Sequence, residues 1–160
     1  MSSIDAAIAN AKENSFVLLQ IGHRRVALPA AQVVELAPPV RLHTFPHATS
    51  LLAGVIVRRG RVVPVVDTEP VLGGKSPLSH RFYLIANRRL GNESELGAIP
   101  VNGECELASG EMQPPGMDRP AYVAGTISVG QESVDVLNLD AFSTANSAAA
   151  NESHGAEARP

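Results

Sequence analysis

Three arginines stand within four residues at Arg58-Arg59-Gly60-Arg61, and they are the side chains of this sequence best suited to recognition chemistry. They interrupt two runs rich in Val and Ile in LLAGVIVRRGRVVPVVD, residues 51–67, which predicts a β-hairpin with arginines at its tip. A guanidinium offers a rigid fork of donors that fits carboxylate and carbonyl oxygens. The cluster therefore either recognises such groups on a partner or is a charged turn that keeps the end of a sheet soluble.

The single cysteine is a poor candidate for a nucleophile. Cys105 lies between Glu104 and Glu106, whose negative charge raises the pKa of a thiol rather than lowering it. The sequence also contains no GxSxG nucleophile elbow, no GxxxxGK[ST] loop and no GxGxxG that opens a helix. We therefore expect no nucleotide cofactor and no enzymatic activity. A small β-barrel enzyme that uses Cys105 or a histidine is the alternative class.

A metal site is not favoured either. His43 and His47 are four residues apart, but Phe45-Pro46 between them breaks the helix that would bring both rings to one face. We expect no metal, and we interpret the chain as a recognition protein.

Composition restricts the class of partner. The formal charge is −3, the pI is about 5.9, aromatic residues make up 4% and Trp is absent. A protein that neutralises nucleic-acid phosphates is normally basic, and one that stacks bases needs aromatic rings. The chain has neither property, so we expect no nucleic-acid partner. No apolar run approaches the roughly 20 residues of a spanning helix, and no secretory signal is visible, so we expect a cytoplasmic protein without direct membrane insertion.

The elements that position the arginine cluster read as short strands. Residues 16–21, FVLLQI, predict a buried strand, and residues 30–36, AAQVVEL, predict a helical turn that runs into a strand. FYLIA and LGAIPV predict a second hairpin, with residues 87–95 as a polar loop between them, and Gly73-Gly74 predicts a turn. We expect residues 1–14 to form a tail or short helix and residues 143–160 a disordered tail, with the domain at 15–142.

One segment repeats the arginine-tipped hairpin. AGVIVRRGRVVPVVD begins at Ala53 and AGTISVGQESVDVLNLD begins at Ala124, which is 71 residues later. Both run from Ala-Gly through a strand, a turn with glycine and a second strand to an aspartate. The repeat predicts an all-β fold of two similar small barrels.

From Phe16 to about Phe142 the chain resembles the CheW family, the adaptor domains of bacterial chemosensory arrays. The resemblance rests on three segments in the family's order: FVLLQIGHRRVALPAAQVVEL, LLAGVIVRRGRVVPVVD and YVAGTISVGQESVDVLNLDAF. It implies two small five-stranded SH3-like barrels packed around a shared aliphatic core, with short helical turns. It also implies a non-catalytic scaffold without cofactors.

The resemblance implies two partners and a set of contact residues. The partners are the regulatory domain of a CheA-type histidine kinase and the cytoplasmic tip of a methyl-accepting chemoreceptor, in arrays at the membrane. Arg59 and Gly60 match the family's signature pair, Gly54 opens the signature hairpin, and Val33 and Glu35 match its V-x-E strand; with Arg58, these are the predicted partner-binding residues.

This sequence departs from the family beside the signature arginine. Val57-Arg58 stands where Asn-Leu is common, and Thr68-Glu69 stands where Leu-Arg is common. Arg58 therefore adds a charge at the expected contact surface. The alternative function is a diverged adaptor of a pilus, twitching or biofilm pathway that binds receptors or kinase without activation.

Overall fold

The structure, a computed structural model, describes residues 14–44, 52–66, 68, 82–90, 92–101 and 105–141. Most of this part of the chain is in strands, and its helical residues are a 3₁₀ turn at Ala30–Gln32 and residues 139–141. The strands are β1 Ser15–Ile21, β2 Arg24–Pro29, β3 Val33–Ala37, β4 Leu52–Arg58, β5 Arg61–Val66, β6 Phe82–Leu90, β7 Glu93–Val101, β8 Glu106–Ser109, β9 Val123–Val129 and β10 Glu132–Leu137.

The strands form two five-stranded sheets with the same spatial arrangement of strands. The central sheet has the order β3-β6-β7-β5-β4, and the terminal sheet has the order β8-β1-β2-β10-β9. β4 and β5 correspond to β9 and β10 residue for residue with an offset of 71, so the predicted repeat is confirmed. The terminal sheet differs in connection, because β1 and β2 occupy the places that β6 and β7 hold in the central sheet.

Each sheet closes into a barrel. The chain that leaves β3 pairs with β4 at the opposite edge, where the His43 N–H donates to the Val55 carbonyl at 2.8 Å. In the same way the chain that leaves β8 pairs with β9, where the Gln113 N–H donates to the Thr126 carbonyl at 2.8 Å. These pairings cover backbone groups that an edge strand would otherwise expose.

The core has three parts, and all are dominated by aliphatic side chains. One cluster fills the central barrel and includes Ile56 and Val63, and another fills the terminal barrel and includes Ile127 and Val134. The third lies between the barrels and combines side chains of both sheets, such as Leu19 and Leu84. The predicted fold class, two five-stranded barrels around a shared aliphatic core with short helical turns, is confirmed.

Some predicted boundaries were wrong or cannot be compared. The strands extend into the predicted loop at 87–95, because β6 runs to Leu90, β7 begins at Glu93, and Arg88 pairs directly with Glu95 across the strands. The predicted tails at 1–13 and 143–160 and the Gly73-Gly74 turn lie outside the described residues. Within the part of the chain that is described, no helix is both long and apolar enough to cross a membrane.

Candidate functional site

The tip of the β4–β5 hairpin is a two-residue turn in which both residues have positive φ. Arg58 pairs with Arg61, and Arg59 and Gly60 between them have φ of 53° and 75°. Positive φ at both central positions defines a type I′ turn, whose twist matches that of the flanking strands. The side chain of Arg59 is thus presented at the apex of the hairpin.

A carboxylate from another strand anchors this tip. The Nε and Nη2 atoms of Arg58 donate to Oε1 and Oε2 of Glu35 at 3.0 and 3.2 Å, and Nη2 of Arg59 donates to Oε2 at 3.3 Å. Glu35 lies on β3, Arg58 ends β4 and Arg59 follows it, so these ion pairs join the two edge strands of the central sheet. They help to close the barrel at this end.

Glu35 is held in its ionised form. Its side chain is 11% exposed, and burial alone would raise its pKa. The hydrogen bond from Arg58 has the larger effect and, with that from Arg59, lowers the pKa of the Glu35 carboxyl below its usual value. The site therefore carries one fixed negative charge beneath several positive ones.

The outward face of the same hairpin is apolar. Val57 and Val62 are directly opposite each other across the strands and are 51% and 67% exposed. Their neighbours Ile56 and Val63 point inward and are buried. The hairpin thus presents an exposed valine pair next to the tip that carries Arg59, and we name the surface formed by Val57, Val62 and Arg59 the hairpin surface.

The structure brings together four of the six predicted partner-binding residues: Glu35, Arg58, Arg59 and Gly60. The other two lie in the interior. Val33 is 6% exposed and packs in the cluster between the barrels. Gly54 is buried against the backbone of His43, where a Cβ atom would collide with the carbonyl oxygen. Any contribution of these two residues to binding would act through the shape of the site.

Val62 belongs to the hairpin surface but was not among the predicted residues. Alternation along β5 carried the signal, because Val63 and Val65 face the core and Val62 must then face outward. The run of apolar residues concealed this, since a strand with valine on both faces reads as buried on both.

Cys105 does not have the surroundings of a reactive thiol. It packs against the cluster between the barrels, and burial raises its pKa to about 11. The expected direction is confirmed, but the cause is desolvation rather than the neighbouring glutamates. Across the described residues, no three His, Cys, Asp or Glu side chains are grouped to hold a metal ion, and His47 falls outside those residues.

Comparison with solved structures supports the fold. The chain is similar to the crystal structure of the scaffolding protein TtCheW from Thermoanaerobacter tengcongensis, with a TM-score of 0.70 and 18% sequence identity. The match covers 82% of this chain and 88% of that chain. No curated protein sequence matches this one significantly.

The sequence profile of the CheW-like domain matches residues 15–148, which is most of the chain. That match spans both barrels and includes the arginine-tipped hairpin with its Glu35 anchor. The protein therefore belongs to the CheW-like domain family, a family of non-catalytic scaffolds.

Proposed function

We propose that this protein is an adaptor that couples the cytoplasmic tips of chemoreceptors to the regulatory domain of a CheA-type histidine kinase. It acts in the cytoplasm and is recruited to receptor arrays at the membrane. The observation that carries the proposal is the hairpin surface, with its valine pair and Arg59, in a chain of the CheW-like domain family. The surface binds a partner and catalyses no reaction.

The composition of the hairpin surface suits protein recognition. An apolar centre excludes water when a partner docks, while charges beside it set register and specificity more than raw affinity. Val57 and Val62 provide the apolar part, and Arg59 at the tip provides the charge. The anchoring of the tip by Glu35 lowers the entropy that the hairpin loses on binding.

A sedimentation assay tests the proposal. The full chain is mixed with receptor signalling-tip assemblies and the chemotaxis kinase of the same cell, and both binding and kinase activity are measured. We expect a ternary complex with activated kinase. Arg59→Ala should weaken binding by about 1 to 3 kcal/mol, the range for a charge-assisted hydrogen bond, with little change in Tm. Failure of the wild-type chain to sediment with either partner would refute the proposal.

The same assay distinguishes a second candidate, which the departure at Arg58 favours. A diverged adaptor of a pilus, twitching or biofilm pathway would sediment with receptors or kinase and leave the kinase inactive. The additional guanidinium changes the charge that a partner meets at the hairpin tip, and such a change alters partner choice more readily than fold. Binding without activation would select this candidate.

A further inference from the structure

The two arginines share Glu35 unequally. Arg58 binds both carboxylate oxygens through two nitrogens, at 3.0 and 3.2 Å. Arg59 reaches one oxygen through one nitrogen at 3.3 Å. A bidentate pair is the stronger arrangement, so Arg58 alone satisfies the charge of Glu35.

The second arginine is correspondingly exposed. The side chain of Arg59 is 71% exposed, whereas that of Arg58 is 25% exposed. A guanidinium has five N–H donors, and the contact with Glu35 occupies one nitrogen of Arg59. Because the arginine end of this ion pair is largely exposed, the contact contributes little to stability. Arg59 therefore loses little if it exchanges Glu35 for another carboxylate.

The backbone at Arg59 does not explain why an arginine stands there. Its φ of 53° is in the left-handed region, which costs a residue with a Cβ atom about 1 to 2 kcal/mol. The corresponding position of the β9–β10 hairpin is Gly130, with φ of 62°. Folding of the turn alone would favour glycine at position 59. Strain of this kind is found where a side chain serves function.

These observations indicate that Arg58 and Arg59 have different roles. The inference rests on the proposed function, because it concerns the part of the partner that the hairpin surface binds. We infer that the surface docks a protein segment that presents a carboxylate beside an apolar side chain. Arg59 binds the carboxylate, and Val57 with Val62 packs against the apolar group. Arg58 is a positioning residue: by holding Glu35 it leaves the donors of Arg59 to the partner.

Charge complementarity supports an acidic segment as the occupant. The tip has three arginines, and Glu35 is the carboxylate ion-paired with Arg58 and Arg59. The local charge is positive on a chain whose net charge is −3. Without Arg58, Glu35 would draw in the fork of Arg59, and a partner carboxylate would have to compete with it.

Four variants of the full chain test this assignment by sedimentation with the receptor tips and the kinase regulatory domain of the same cell, at low and high salt. Arg59→Gly should weaken binding roughly 10- to 100-fold, the loss expected for a charge-assisted contact, with unchanged or higher Tm and a smaller salt effect. Arg58→Leu should weaken binding less. The double variant Arg58→Leu with Glu35→Gln should recover part of that loss, because the carboxylate that captures Arg59 is gone while the tip also loses its anchor. Arg119→Leu is the control, since Arg119 is a half-exposed, ion-paired arginine of the terminal barrel, and it should bind as wild type.

The outcomes separate the possible failures. If the wild type binds and Arg59→Gly binds equally well, Arg59 does not read a carboxylate and the inference is wrong while the proposed function stands. If the double variant binds as weakly as Arg58→Leu, Arg58 contributes directly and is not a positioning residue. If the wild type binds neither partner, the proposed function fails and this assignment fails with it.

Discussion

The two hairpins that lie 71 residues apart share their strand pairing and buried residues but differ at their tips. Each joins its strands by a two-residue turn and has a glycine that the neighbouring loop covers, Gly54 in one and Gly125 in the other. At the tip, however, Arg58-Arg59-Gly60-Arg61 corresponds to Val129-Gly130-Gln131-Glu132. Packing constrains the buried residues of both hairpins, whereas the exposed tip residues can differ and contact a partner.

The carboxylates near the two barrels also differ. Glu35 is nearly buried and is shared by Arg58 and Arg59. Glu106 stands 71 residues later on the equivalent strand, is 66% exposed, and shares Arg25 with Glu132. At these two corresponding sites, two arginines share one carboxylate in the central barrel, whereas one arginine lies between two carboxylates in the terminal barrel. The first arrangement leaves positive charge at the surface, and the second leaves negative charge.

Alanine at Gly54 or Gly125 should give the largest loss of stability. A Cβ atom at Gly54 would collide with the backbone oxygen of His43, and one at Gly125 would collide with that of Gln113. We expect each substitution to destabilise the fold by about 1 to 3 kcal/mol or more, the cost of overpacking. Gly54→Ala should be the worse, because φ at Gly54 is also +156°. Urea unfolding of both variants measures the loss. Wild-type stability of either variant would show that the two glycines do not have equivalent roles in the two hairpins.

Removing the charge of the two corresponding glutamates should destabilise the two barrels to different extents. Glu35→Gln loses charge-assisted hydrogen bonds at a nearly buried site, which should cost about 1 to 2 kcal/mol. Glu106→Gln removes an exposed contact and should change stability by less than about 1 kcal/mol. Thermal melts of the two variants make the comparison. Equal losses would contradict the view that only Glu35 anchors its barrel.

Low pH should remove the contribution of Glu35 to the stability of the fold. Because the folded protein lowers the pKa of Glu35, the ion pairs stabilise the fold fully above the unfolded pKa of about 4.3. This contribution is lost as the pH falls through the lower, folded pKa. The stability difference between wild type and Glu35→Gln should therefore shrink as the pH falls below about 5. Denaturant unfolding across that range measures it, and parallel curves would show that Glu35 titrates normally.

The smallest functional effect is expected at Cys105, which lies away from both hairpins. Because burial raises its pKa to about 11, alkylation at pH 8 should be roughly 100-fold slower than that of a free cysteine. Denaturant should restore the ordinary rate. Cys105→Ser should leave partner binding unchanged. Rapid labelling of the native protein would instead revive the alternative of a thiol enzyme.

Sequence reasoning could reach the strands and the repeat, because apolar runs, Ala-Gly pairs and glycine-containing turns recur at a constant offset. It could not reach the ion pairs of Glu35, since residues 23 positions apart meet only after the sheet has closed. The same limit hid the true ends of β6 and β7. Arg88 and Glu95 look like loop residues until cross-strand pairing joins their charges. Local patterns indicate elements, whereas register is a property of the assembled sheet.

The order of strands in the two sheets has a consequence for the growing chain on the ribosome. The central sheet uses β3 to β7, one continuous segment, and can close as soon as β7 has emerged. The terminal sheet pairs β2 with β10, so β1 and β2 are synthesised first and must wait for the last strand. Contacts between distant segments form slowly, and domains fold as they emerge. The barrel with the arginine-tipped hairpin can therefore complete its strand pairing before the terminal barrel does.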